Sequence, residues 1–164
     1  MQIPPALSFR QSLWTAFCAF CGLLVLSSLN EYYKYLTDDD FYLLIGPFGA
    51  LMTLQYGLTA APASQPRNAI MGQAVAGAVS LAVTYIPELY LPVWLRRPVG
   101  PALGIATMVK LGFTHPPAGA HAVLYSSGKY GWTFYSLVVL STVISVIPVT
   151  VVNNLSTKRR YPTY

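Results

Sequence analysis

Charge is what this chain has least of. Only 9% of its 164 residues are charged, and just five are acidic. A soluble domain usually carries about 25% charged residues. So little charge could not cover a water-exposed surface, which excludes soluble enzymes, nucleic-acid binders and disordered linkers. Hydrophobic residues make up 54% of the chain, and mean hydropathy is +0.49. The class is an integral membrane protein, an all-α polytopic bundle in contact with lipid. The net charge of +5 does not point to nucleic acid. The basic residues sit mostly at the ends of apolar runs, where they set topology.

Cysteine is scarce too. Cys18 and Cys21 read Cys-Ala-Phe-Cys within an apolar run. A redox pair normally follows a strand in a soluble fold, and a haem-attachment motif needs histidine where Gly22 stands. Both thiols are expected as small apolar side chains of a helix.

What is present is a series of apolar runs. Run A (11–29) is uncharged and precedes a polar stretch (30–40). Run B (41–61) leads to a polar turn (62–68). Run C (69–87) carries Gly72, Ala74, Ala76 and Ala78, small enough for close helix packing. A linker (88–97) around Trp94 precedes run D (98–113), which contains Lys110. Run E (115–127) and run F (130–155) follow, and Lys158, Arg159 and Arg160 close the last. A bilayer span needs about 20 residues at ~1.5 Å each. A, B, C and F reach that length. D and E form a broken pair, because Pro116 and Pro117 stop one helix and start the next. They read as two half-depth segments or one kinked span.

The chain is expected to be one transmembrane domain over 1–164, built from a repeat. The block Pro47-Phe48-Gly49-Ala50-Leu51-Met52-Thr53-Leu54 lies over Pro117-Ala118-Gly119-Ala120-His121-Ala122-Val123-Leu124. Each block has a long run before and after it, giving long–short–long over about 11–87 and again over 98–155. Four full spans plus two short or re-entrant helices is the expected architecture, with five spans as the alternative. Re-entrant short segments make the halves parallel; spanning ones make them inverted. The positive-inside count gives six basic residues to three for four or five spans and five to four for six spans. Arg10 before run A resembles a signal anchor, with no convincing cleavage site after it.

The stretch Thr114–Ala120 carries the most chemistry. Pro116 and Pro117 suit a first helical turn, with Thr114 or His115 as the cap. A helix N-terminus inside lipid offers free N–H groups and a positive dipole end to an anion. Gly49 and Ala50 offer a second such end, matching Gly119 and Ala120. The competing reading is that Pro and Gly simply kink helices for packing. Short interrupted segments at matching places in two halves point to a transport site.

His115-Pro116-Pro117-Ala118-Gly119-Ala120 resembles the signature of the HPP family of integral membrane proteins. The upstream Gln65-Pro66-Arg67-Asn68 is similar to that family's second hallmark, at a fitting distance. The likeness covers about 43–155. It implies a four-span protein. Because cyanobacterial and plastid members are linked to nitrite transport, it also implies a small-anion permease in an inner-envelope or thylakoid membrane. This chain differs in having His121 where a small hydroxyl residue is expected and Lys110 in the preceding run.

The expected binding residues are His115, Thr114, Gly119, Ala120, Gly49, Ala50, Arg67, Gln65 and Lys110. His115 either donates to an anion or bonds a free backbone carbonyl. Arg67 has a fork suited to a planar oxyanion, or anchors at the headgroups. Lys110 attracts an anion, or snorkels to the membrane face. His121 is a packed residue, a ligand to a bound group, or a chlorophyll ligand. No carboxylate or cysteine stands near enough for a metal site. Asp38, Asp39 and Asp40 are expected to cap run B. Trp14, Tyr32, Tyr33, Tyr35, Trp94, Tyr130 and Trp132 suit an interfacial belt. The competing function is a non-transporting subunit of a larger, photosynthetic assembly, as a homo-oligomer or complex, with chlorophyll as its cofactor. An enzyme is not expected, because no elbow motif surrounds Ser126 and Ser127.

Overall fold

A computed structural model describes residues 8–37, 46–157 and 159–163. Among them all regular structure is helical. The helices are α1 (Phe9–Thr37), α2 (Gly46–Met52), α3 (Pro66–Thr84), α4 (Val93–Leu111), α5 (Pro116–Ser126) and α6 (Trp132–Asn154). Lengths alternate long, short, long, twice. The helices α1 and α6 are long and apolar enough to cross a membrane, with mean hydropathy 1.8 and 2.2.

Local chemistry sets the boundaries. Ser8 and Gln11 cap α1 reciprocally: Gln11 Oε1 accepts from Ser8 N at 3.0 Å and Ser8 Oγ from Gln11 N at 3.4 Å. The helix α1 continues through the polar stretch after run A as far as Thr37. Asn30 is buried there, and Lys34 suits the negative end of the helix dipole. Asp38, Asp39 and Asp40, the expected caps, lie outside the described residues.

Run B yields only a short helix among the described residues, α2, followed by a π turn at Thr53–Gly57. A short segment is what the long–short–long pattern expects at this place. Two orphaned acceptors help end it, since the Gln55 carbonyl takes a hydrogen bond from Asn153 and the Tyr56 carbonyl takes one from Arg159. The helix α4 starts within the expected linker and holds Pro98 and Pro101 inside. Arg96 ties that start down by donating to the Leu91 and Ile86 carbonyls. Gly112 ends α4 at φ 73°, and Phe113 N–H bonds back to the Met108 carbonyl at 2.9 Å. Glycine suits that left-handed position.

Contacts between neighbouring helices fix their directions. Along α3, Gly72 meets Met108, Ala76 meets Gly104, and Ser80 meets Gly100, so α4 runs antiparallel to α3. His115 lies at Gly72 and the Ala122 carbonyl at Ser80, so α5 runs parallel to α3. Tyr135 donates to the Ala74 carbonyl and Trp132 to Tyr85, so α6 is antiparallel to it. Phe48 stands beside His121, whereas Gln55 and Tyr56 reach Asn153 and Arg159, so α2 runs with α6. Arg159 also donates to Thr15 at 2.7 Å, which returns the end of α6 to the start of α1. Each helix therefore reverses the one before, and the second half is inverted relative to the first.

The small residues of run C do the packing expected of them, with one shift of face. A Cβ on Gly104 would stand 3.0 Å from the Ala76 carbonyl, and one on Gly100 would stand 2.8 Å from Ser80 Oγ. Gly77, rather than Ala74 or Ala78, takes the closest approach on the other face, against Tyr135 and Tyr125. Without a hydrophobic drive between helices in lipid, such backbone proximity supplies the packing energy.

The ends of the bundle differ in charge. Arg10, Arg67, Lys110, Arg159 and Arg160 gather where α1 starts and α6 ends. The other end holds Lys34, Arg96, Arg97 and Lys129 together with the described acids, Glu31 and Glu88, and exposed Tyr32, Tyr35, Tyr85, Tyr90 and Trp94.

Candidate functional site

The two sequence motifs meet. Arg67 Nη1 donates to the Gly112 carbonyl at 3.3 Å, and its guanidinium stacks 4.6 Å over the Phe113 ring. Asn68 Nδ2 reaches the Thr114 carbonyl at 3.5 Å. His115 Nδ1 lies 2.7 Å from the Ala63 carbonyl. The first turn of α3, with Ala63 just ahead of it, thus clamps the break between α4 and α5. Gly72 permits it, because a Cβ there would lie 2.6 Å from the His115 Cβ and 2.9 Å from the Phe113 carbonyl. His115 is the residue before α5 and makes no side-chain cap to it. It sits level with Gly72, six residues or roughly 9 Å along α3 from Pro66.

Gln65 is fully buried and fully occupied. Its Nε2 donates to the Thr59 carbonyl at 2.8 Å, and its Oε1 accepts from Thr163 N–H at 2.9 Å. The tail after α6 closes over it, and Tyr161 donates to the Ser64 carbonyl at 2.7 Å. Burial pushes the Tyr161 phenol above its ordinary pKa, so it stays a donor.

The other expected residues are placed differently. The Thr114 side chain is exposed. Lys110 is exposed in the last turn of α4, where a cation suits the dipole and can reach the membrane face. Gly49 and Ala50 are exposed, and nothing lies within 4 Å of a Cβ built on Gly49. Gly119 is half-buried against Ile105, and Ala120 is exposed. The helices α2 and α5 lie antiparallel, with Phe48 level with His121, so each N-terminus stands beside the body of the other helix and the two do not face one another. Between them lies the Phe48 ring, edge-on to His121 with centroids 5.1 Å apart. His121 also stacks on Tyr125 at 6.4 Å and is fully buried. Both ring nitrogens are enclosed by protein, so neither is reached by a chlorophyll magnesium in this arrangement.

The polar interior instead centres on α3 and α5. Gln73 is 1% exposed, and neither amide atom has a hydrogen-bond partner. Asn68 Oδ1, His115 Nε2 and the Tyr125 hydroxyl are also buried without partners. Neither ring nitrogen of His121 makes a hydrogen bond of normal geometry, although the Pro117 carbonyl one turn back interacts with the ring. Each such orphan costs about 1–3 kcal/mol. Ser80 and Ser126 line the same interface but bond the Ala122 and Val123 carbonyls. No charged side chain stands among these groups. The only described acids are exposed, and among the described residues no cluster of ligands fits a metal.

His115 has a defined hydrogen-bonding sense. The Ala63 carbonyl can only accept, so Nδ1 carries a hydrogen. Neutral His115 therefore presents a bare lone pair at Nε2, and only the protonated ring can donate there.

The sequence reading missed Gln73. The available signal was a lone amide in the middle of an apolar run, the kind of residue that lipid-embedded helices keep for function. Tyr125 had no distinguishing mark among so many aromatics.

Sequence comparison adds the family. The profile of the HPP transmembrane region matches residues 4–162. A transmembrane protein of Dictyostelium discoideum is 31% identical over 98% of this chain and 58% of its own length. A second from the same organism is 29% identical over 92% of this chain and 50% of its own. The chain thus spans about half the length of these curated relatives. No solved structure matches.

Proposed function

Because the chain belongs to the HPP family of transmembrane proteins, we propose that it is a permease for a small monovalent anion, nitrite first, carried together with a proton. The observation that supports this reading is the row of unpartnered polar atoms on α3 and α5. Groups this costly to bury are kept where a passing solute or water can satisfy them. The row holds amide, imidazole and phenol groups without a carboxylate, which favours an anion over a cation.

In this mechanism His115 Nε2 takes a proton from the aqueous side. The new N–H and its positive charge then meet the anion, with the Gln73 amide and Tyr125 hydroxyl as further donors. Proton and anion cross as a neutral pair, which avoids moving a lone charge through low dielectric. Both leave on the far side, restoring the neutral ring. The inverted halves supply two equivalent ways of opening, as inverted repeats do in other carriers. The reading takes six alternating segments with α2 and α5 at partial depth. It is non-enzymatic and sits in a plastid or cyanobacterial membrane.

The test is uptake into proteoliposomes with the outside acid relative to the lumen. Wild-type protein is expected to accumulate nitrite with a matching proton influx. His115→Ala is expected to lower uptake without lowering the amount of folded protein. Unchanged uptake in that variant overturns the mechanism.

A further inference from the structure

A second feature lies away from the α3–α5 row and does not depend on it. A cavity of about 750 Å³ opens between the start of α1 and the end of α6. Arg10, Gln11 and Arg159 line its polar side, and Leu13, Trp14 and Phe17 its apolar side. We propose that this cavity binds the headgroup of an anionic phospholipid, with an acyl chain along its apolar side.

Charge is the first argument. Arg159 donates to the Tyr56 carbonyl at 2.9 Å, Asn153 Oδ1 at 3.3 Å and Thr15 Oγ1 at 2.7 Å. All three acceptors are neutral, so the guanidinium is fixed in place with no described carboxylate beside it. Arg10 adds a second charge in the first turn of α1, whose positive dipole end faces the same rim. The described acids are at the opposite end of the bundle. A phosphodiester supplies the missing negative charge, and arginine suits it geometrically.

The second argument is the apolar side. Leu13 and Phe17 are 56% and 55% exposed on the outer face of α1. Trp14 keeps a buried indole N–H without a partner at the same cavity. A free inorganic anion uses only the arginines. A lipid uses the arginines, the indole N–H and the apolar wall together, as interfacial tryptophans commonly do. The end where the cavity opens carries basic residues and no described acid, which suits an anionic leaflet.

The experiment is native mass spectrometry of the full chain released from mixed phosphatidylglycerol and phosphatidylcholine. Wild-type protein is expected to retain phosphatidylglycerol preferentially. Arg10→Gln removes an exposed charge without touching an internal hydrogen bond, and is expected to weaken that retention about fivefold. Trp14→Phe keeps the ring and loses the donor, and is expected to weaken it to a smaller degree. Millimolar inorganic phosphate is expected not to displace the lipid. Equal retention of both lipids, or an Arg10→Gln variant matching wild type, overturns the proposal. Displacement by phosphate also overturns it, identifying a free-anion site instead. Nitrite uptake is measured separately, so failure here leaves the permease reading standing, and the reverse holds.

Discussion

Replacing Gln73 by leucine separates function from packing more sharply than any other change. Gln73 is 1% exposed in the middle of α3, and both of its amide atoms lack partners. Leucine is close to it in volume and carries no polar atom to desolvate. If the amide serves only the fold, nothing is lost by removing it. Relieving the desolvation penalty should then stabilise the protein by about 1–3 kcal/mol. For a chain of this size that is a rise in Tm of roughly 2–4 °C per kcal/mol. The permease reading adds a second expectation: the stabilised variant should transport at least about tenfold more slowly, the equivalent of losing one 1.4 kcal/mol contact. Thermal melts in detergent and nitrite uptake in proteoliposomes measure the two sides on one preparation. A fall in Tm means that the amide has a structural partner, and the reasoning fails. A raised Tm with wild-type uptake means that the orphaned amide is not on the route.

Further changes test the remaining contacts. Gly72→Ala drives a Cβ to within 2.6 Å of the His115 Cβ; it should destabilise by about 1–3 kcal/mol and lower uptake, read by melting and transport together. Ser80→Ala deletes a 2.6 Å bond to the Ala122 carbonyl and should cost about 1 kcal/mol with uptake rate little changed. Arg67→Ala should loosen the break between α4 and α5, with faster amide exchange at Gly112 and Phe113, whereas Arg67→Lys should only partly restore it. Uptake by wild type should rise as the outside is acidified, and His115→Gln should flatten that dependence.

Much of the fold could be read in the sequence because membrane helices announce themselves by run length and punctuation. Pro116 marks a helix start that the structure keeps, whereas α3 begins at Pro66, inside the expected polar turn, and α4 ends at Gly112, inside run D. The proline pair places the start of α5 correctly to the residue. Hydropathy misled where the environment decides. Run B is apolar throughout, yet its backbone is drawn out of the α-helix at Thr53–Gly57, where Asn153 and Arg159 take its carbonyls. Those partners lie about a hundred residues away, and no local pattern reveals them. The stretch after Leu29 reads as polar, but α1 carries it as an exposed helical extension. At the site, motif logic found the His115 break and its Arg67 partner turn. It could not find that Arg67 and Gln65 spend their hydrogen bonds on backbone carbonyls and the chain's own tail, because hydrogen-bond partners are a property of the folded arrangement.

The contact of Arg159 with Thr15 and Tyr56 bears on architecture beyond the bundle itself. Anything joined ahead of α1 and anything joined behind α6 would emerge together, on a single aqueous side and within reach of each other. From there they could sense or restrain the same mouth of the bundle.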